Sequence, residues 1–288
     1  MIKRISERNV LHGTSLFTEY QKIEYLFSEN RCIGRFNKFG APLPSKFTLE
    51  QYLNDFAFSG WHLRGTAISF YNLRDELGLS SKEKIREEFN NDIFVDFMQL
   101  CLNSVLRIEM TLNNHSNAFY ISDKNLLSNI IDNCECILES LNYSCKLDEE
   151  TSEVFVYEKN PIATAVAETN EDIANSLIEY GRHNIKGNLK RKGEILCTLY
   201  KKLESIEKRF KGTEYEKLAS DTKFLFNKTG IRHCMEKDKF ASKTFMEMSV
   251  DQLEEWYDNT YYLFLSCMVI FSYLELKNKI EEIKRAGE

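Results

Sequence analysis

The sequence predicts a mainly α protein, a multi-helix bundle carrying one small β-hairpin. Three observations predict it. The 288 residues include only three prolines and 12 glycines, so few positions force the chain out of long helices. Apolar residues recur every third or fourth position over most of the chain. Clear alternation is confined to "YSCKLD" and "EVFVYE", which are joined by "EETS".

The elements follow in order. Gly34, Gly40, Pro42 and Pro44 crowd the stretch "NRCIGRFNKFGAPLPSKF", which reads as a linker or binding loop, so the first 45 residues are expected to be irregular. Thr48–Leu49–Glu50–Gln51 has the form of a capping box and predicts a helix start. Trp61 to Leu77 is amphipathic. Over 81–112, Phe94, Phe97, Cys101, Val105, Ile108 and Leu112 fall at helical spacing. Ser122 predicts the cap of a helix over 123–142, with Leu126, Ile130, Ile137 and Leu141 inward. The hairpin comes next and ends at Pro161. Long helices are predicted over 171–210 and 214–232, and a last one over 249–283 from Ser249. This organisation divides the chain into residues 1–142, an N-terminal helical region, and 143–288, the hairpin with a C-terminal helical bundle; one continuous domain is the alternative.

Within 171–210 the apolar positions Ile178, Ile185, Leu189, Leu196, Leu199, Leu203, Ile206 and Phe210 form a heptad seam. Arg182 and Lys192 fall on that seam. A cation on an apolar stripe is costly unless it is paired or reaches water. Arg182 therefore snorkels at the bundle's end, pairs with an acidic residue from 132–179, or meets an anion in a cleft.

The net charge is −6, with no global signal for nucleic acid or membrane, but it is unevenly spread. Residues 132–179 hold twelve acidic and two basic side chains, and 181–211 hold ten Lys/Arg against three Glu. A basic helix of this kind attracts phosphate, or docks on its acidic neighbour. The eight cysteines have no zinc-ligand spacing, so no metal and no cofactor is expected. No apolar leader precedes the first charges, which together with the cysteine pattern suggests reduced thiols and a cytoplasmic location. The apolar stretch "YYLFLSCMVIFSYLEL", 261–276, is too short for a membrane span and reads as a buried core helix.

Two of the five histidines directly follow arginine, at Arg182–His183 in "EYGRHNIKGN" and Arg232–His233 in "NKTGIRHCMEKD". Histidine titrates near neutral pH, and arginine supplies a permanent planar cation. Together they are a minimum for phosphodiester chemistry, one moving protons and the other holding developing charge. On this reading His233 transfers the proton, Arg232 and Arg182 hold phosphate, and His183 is a second acid/base or an orienting group. Asn184, Lys186, Lys190 and Arg191 would bind substrate. The other reading makes both pairs structural.

Long helices with an Arg–His region, and "GIRH" near the end of the penultimate one, resemble the HEPN-type helical bundles of bacterial abortive-infection and toxin proteins. The resemblance spans about residues 165–283. The Arg and His of each pair are adjacent here, whereas the family's usual motif separates them by several residues. The resemblance implies a metal-independent ribonuclease or an inactive relative, RNA as substrate, and a homodimer. A non-catalytic protein-interaction module of a defence system, with a protein partner in place of RNA, is the rival expectation.

Overall fold

The computed structural model describes residues 15–79, 89–149, 151–231, 245 and 247–286. The protein is mainly α, with two small antiparallel sheets among the described residues. It divides into two compact units, Met1–Val156 and Tyr157–Glu288, each with its own apolar core.

From residue 15 onward the N-terminal unit is more regular than the sequence suggests. Helix α1 (Leu16–Ser28) is capped by Ser15, whose side chain accepts from Thr18 N. Strands β1 (Arg31–Phe36) and β2 (Pro42–Thr48) then form a hairpin. The turn formers that suggested a loop build that hairpin's turn: Asn37 Oδ1 accepts from Phe39 N and Ala41 N, and Gly40 takes a left-handed φ of 78°. Pro42 and Pro44 are tolerated because β2 is an edge strand in the order β2-β1-β3. Strand β3 (Phe119–Ile121) completes this sheet, which the sequence reading lacks. A Cβ at Gly34 would run into the Tyr120 ring, so the pairing of β1 with β3 requires glycine there.

The capping box forms as expected. Thr48 Oγ1 accepts from Gln51 N, and Gln51 Oε1 accepts from Thr48 N, opening helix α2 (Leu49–Tyr52). The helix widens into a π turn at Leu53–Ala57 and ends in a 3₁₀ turn at Phe58–Gly60. Trp61 to Leu77 forms a short 3₁₀ turn, His62–Arg64, and helix α3 (Phe70–Glu76). Helix α4 (Asn91–Asn114) occupies the later part of the 81–112 expectation, and residues 80–88 lie outside the described ones. Helix α5 (Leu126–Ser140) starts later than Ser122 predicts. Ser122 instead ends β3, its N donating to Cys32 O and its Oγ accepting from Lys46 Nζ.

The hairpin forms from the residues that alternate, β4 (Tyr143–Asp148) and β5 (Glu153–Glu158). The unit boundary falls inside β5, where the sequence alone placed it ahead of β4. Side chains of α4 reach β5: Gln99 Oε1 accepts from Val156 N, and Asn103 Oδ1 accepts from Val154 N, both at 2.8 Å.

A buried charge cluster ties the helices of this unit together. Arg74 on α3 donates Nη1 to Glu50 Oε1 (2.7 Å) and Nη2 to Glu24 Oε2 (3.0 Å) and Leu79 O (2.9 Å). All three side chains are about nine-tenths buried. Burial opposes the Arg74 charge, but the two carboxylates outweigh it and hold the guanidinium above its usual value.

In the C-terminal unit, Pro161 is the first residue of helix α6 (Pro161–Thr169), capped by Asn160. The expected 171–210 helix is two helices, α7 (Glu171–Tyr180) and α8 (Leu189–Ile206), the latter followed by a 3₁₀ turn at Glu207–Arg209. Helix α9 (Glu216–Lys228) follows. Helix α10 (Val250–Ala286) starts from Ser249, where Ser249 and Gln252 exchange side-chain bonds to each other's backbone N. It buries one face only: Tyr257, Phe264 and Met268 are inside, while Tyr262, Val269 and Tyr273 are exposed. Among the described residues no helix is long and apolar enough to cross a membrane.

Replacing the cation tests the N-terminal cluster. Arg74→Met should strand two buried carboxylates and cost about 3–5 kcal/mol. The readout is a lower urea midpoint at unchanged slope, and a midpoint equal to wild type would show that the cluster does not hold the unit together.

Candidate functional site

The residues singled out in 182–191 lie together, on one turn and the helix start after it. Gly181 follows α7, and a Cβ there would lie 3.2 Å from Glu158 O, so the chain passes close to β5. Glu158 N donates to Gly181 O at 2.8 Å, and Arg182 forms an isolated antiparallel bridge with Tyr157. Arg182 is therefore extended, with φ −60° and ψ 132°, and does not occupy the helical seam the sequence assigned it. His183 opens the 3₁₀ turn His183–Ile185 and is buried, 8% exposed. Gly187 takes a left-handed φ of 76°, and Asn188 caps α8 by accepting from Arg191 N. Asn184, Lys186, Lys190 and Arg191 are exposed. Arg232 and His233 lie outside the described residues, so the meeting of the two Arg–His pairs does too.

Part of the basic charge of this segment is answered from within the unit. Arg191 pairs with Glu179 and with Glu194 (3.0 Å). Lys202 reaches Asp172 at 3.0 Å, and Arg209 reaches Glu275 at 3.7 Å. These pairs join the basic stretch to the acidic residues before it and to α10.

The strongest polar constellation in the unit surrounds Lys192, the other cation predicted on the seam. It is buried, 6% exposed, in the first turn of α8. Its Nζ lies 2.7 Å from both Glu254 Oε1 and Asp258 Oδ1. Those carboxylates are four residues apart and share one face of α10. The ammonium also sits 5.4 Å from the Tyr180 ring centroid. Tyr180 Oη donates to Asp258 Oδ1 (2.7 Å), its ring stacks on Tyr261 with centroids 4.0 Å apart, and Tyr261 Oη donates to Leu177 O. Glu254 Oε1 also accepts from Gly187 N at 2.8 Å, tying the turn to α10.

The electrostatics follow from burial and pairing. Burial, joined by the charge and hydrogen bond of Asp258, pushes the Tyr180 phenol far above its usual value, so it stays protonated and donating. Burial alone would raise the Glu254 carboxyl, but hydrogen bonds from Lys192 and Gly187, with the charges of Lys192 and Lys186, hold it below its ordinary 4.5. The network closes on itself. It positions two helices and a turn. Sequence reading found Lys192 as a cation on an apolar seam but not its partners, which lie more than sixty residues away.

Among the described residues no cluster of His, Cys, Asp and Glu could hold a metal ion. The described cysteines are free thiols, and burial drives Cys32 up to about 11. No family model, curated protein or solved structure matches this chain.

Lys192→Met should leave Glu254 and Asp258 without their cation. The cost is about 3 kcal/mol, at the low end for a broken buried pair because Asp258 is partly exposed. Glu254 is depressed in the folded state, so its contribution is complete above the ordinary glutamate value of 4.5 and is lost as pH falls below it. The stability gap between wild type and variant should therefore be constant near neutrality and narrow in acid. A gap independent of pH down to acid unfolding would contradict the pairing.

Proposed function

We propose that the C-terminal unit is a protein-interaction module of the kind anticipated as the non-catalytic HEPN-like alternative, and that it works through the outer face of α10. The observation that carries this reading is the spacing of exposed apolar residues on that helix. Tyr262, Val269, Tyr273, Leu276, Ile280 and Ile283 are between 43% and 72% exposed. From Val269 onward they alternate steps of four and three, the pattern of a coiled-coil seam. An exposed contiguous apolar stripe of this kind marks a binding surface.

The partner's chemistry follows from the edges of the stripe. Lys277, Lys279 and Lys284 flank it. A second copy of this chain would set lysine against lysine across the seam. A helix with leucine-like seam positions and acidic edges answers both features. The ion pairing of Arg191, Lys192, Lys202 and Arg209 also supports an interaction role over a basic groove for RNA.

Two synthetic helical peptides with identical leucine seams test this, one with glutamate and one with lysine at the flanking positions. The acidic peptide should bind the full chain, more weakly as salt rises, and Leu276→Ser with Ile280→Ser should abolish binding at an unchanged thermal midpoint. Equal binding of both peptides, or of neither, removes the proposal, as does sedimentation showing that the wild type pairs with itself through this face. Cleavage of RNA that is lost in His233→Ala at unchanged midpoint would return the chain to the nuclease reading.

A further inference from the structure

A separate polar cavity lies in the N-terminal unit, and its walls follow from how α4 holds β5. Gln99, Asn103 and Arg107 are four residues apart and share a face of α4. Asn103 clamps Val154 in both directions, Oδ1 accepting from its N at 2.8 Å and Nδ2 donating to its O at 2.7 Å. Gln99 takes Val156 N one turn earlier. Four helical residues rise ~6 Å and two strand residues ~6.6 Å, so the strand advances two residues for each turn of helix. That register brings Arg107 to the level of Ser152, which adopts a left-handed φ of 56° where β5 begins.

Arg107 Nε donates to Ala57 O at 2.8 Å, at the last residue of the π turn. A Cβ on Gly60 would lie 2.6 Å from Arg107 Nη2, so only glycine leaves the guanidinium where it is. Beside it opens a cavity of about 610 Å³, lined among others by Trp61, His62, Leu106, Arg107, Met110 and Glu153.

Arg107 and Glu153 line one cavity, yet they form no ion pair with each other. The terminal guanidinium nitrogens of Arg107 have no hydrogen-bond partner among the described residues. Oε1 of Glu153 is buried and likewise has none. Burial raises the Glu153 carboxyl above its ordinary value, against the opposing charge of His62. A buried carboxylate oxygen left without a partner costs stability. Arg107 is held in place by its backbone bond to Ala57.

We infer that this cavity binds a small molecule carrying an anionic group and an amino or ammonium group on one apolar body. The anion meets the terminal nitrogens of Arg107, and the amino group donates to Glu153. Trp61, Leu106 and Met110 cover the apolar part. The volume falls within the ~300–1,000 Å³ of small-molecule sites. Amino acids with large apolar side chains and adenine mononucleotides both carry this chemistry.

Isothermal titration of the full chain with L-phenylalanine and with adenosine monophosphate tests the site and separates the two sources. One of them should bind saturably, which identifies the source. Arg107→Gln and Glu153→Gln should each weaken that binding about ten- to a hundredfold, the effect of losing a hydrogen bond to a charged group. Gly60→Ala pushes aside the far end of a flexible side chain and keeps its charge, so it should weaken binding at a native thermal midpoint; it decides the matter if Arg107→Gln fails to fold. No saturable binding of either compound up to about 10 mM overturns the inference. Binding that survives Gly60→Ala and Glu153→Gln unchanged does so as well.

Discussion

One buried ammonium organises the C-terminal unit. Lys192 is too deep to reach water, so its charge has to be answered by protein, and Glu254 and Asp258 on α10 answer it. This fixes the first turn of α8 against one face of α10. Glu254 also holds Gly187 N, so the turn after α7 is pinned by the same carboxylate. Arg182, His183, Asn184 and Lys186 stand where that pinned turn puts them. The consequence for function is a loss of freedom: the Lys192 charge, which could have met a phosphate, holds two helices together.

Much of the architecture was legible because its signals are local. The β4–β5 hairpin is a period-two pattern broken by a polar turn, and the Thr48 cap is a four-residue motif. What escaped was non-local. Strand β3 is three residues long and earns its place only by pairing with β1, some ninety residues earlier. The break between α7 and α8 was hidden because the apolar residues on either side continue in step across it. Gly181, Gly187 and Asn188 were the available signal, and the left-handed φ of Gly187 shows what they are for. Arg182 appeared to sit on a seam only because that break was missed.

Helix α10 shows the same limit from another side. It carries two interleaved apolar stripes, an inner one through Leu253, Tyr257, Phe264, Met268 and Leu274, and an outer one through Tyr262, Val269, Tyr273 and Leu276. A linear reading sees one continuous apolar run and assigns it to the core. The placement of α6 to α9 decides which stripe is covered. The cavity beside Arg107 was equally invisible, since Trp61, Arg107 and Glu153 come from three elements distant in sequence and the histidine among them, His62, has no local partner.

Among the described side chains Leu274 is the last buried one of α10, and every residue from Leu276 to Arg285 is exposed. That final stretch is shorter than the ~12–15 residues at which even favourable isolated helices become marginal in water. Its backbone hydrogen bonds are guarded by helix propensity and not by packing. Amide protection should therefore decline along α10 from Leu274 outward, steeply and without a second plateau. Anything that seats on the outer stripe must supply the order these turns lack, so its affinity will be lower than the apolar contact suggests and its grip will depend on temperature through helix fraying.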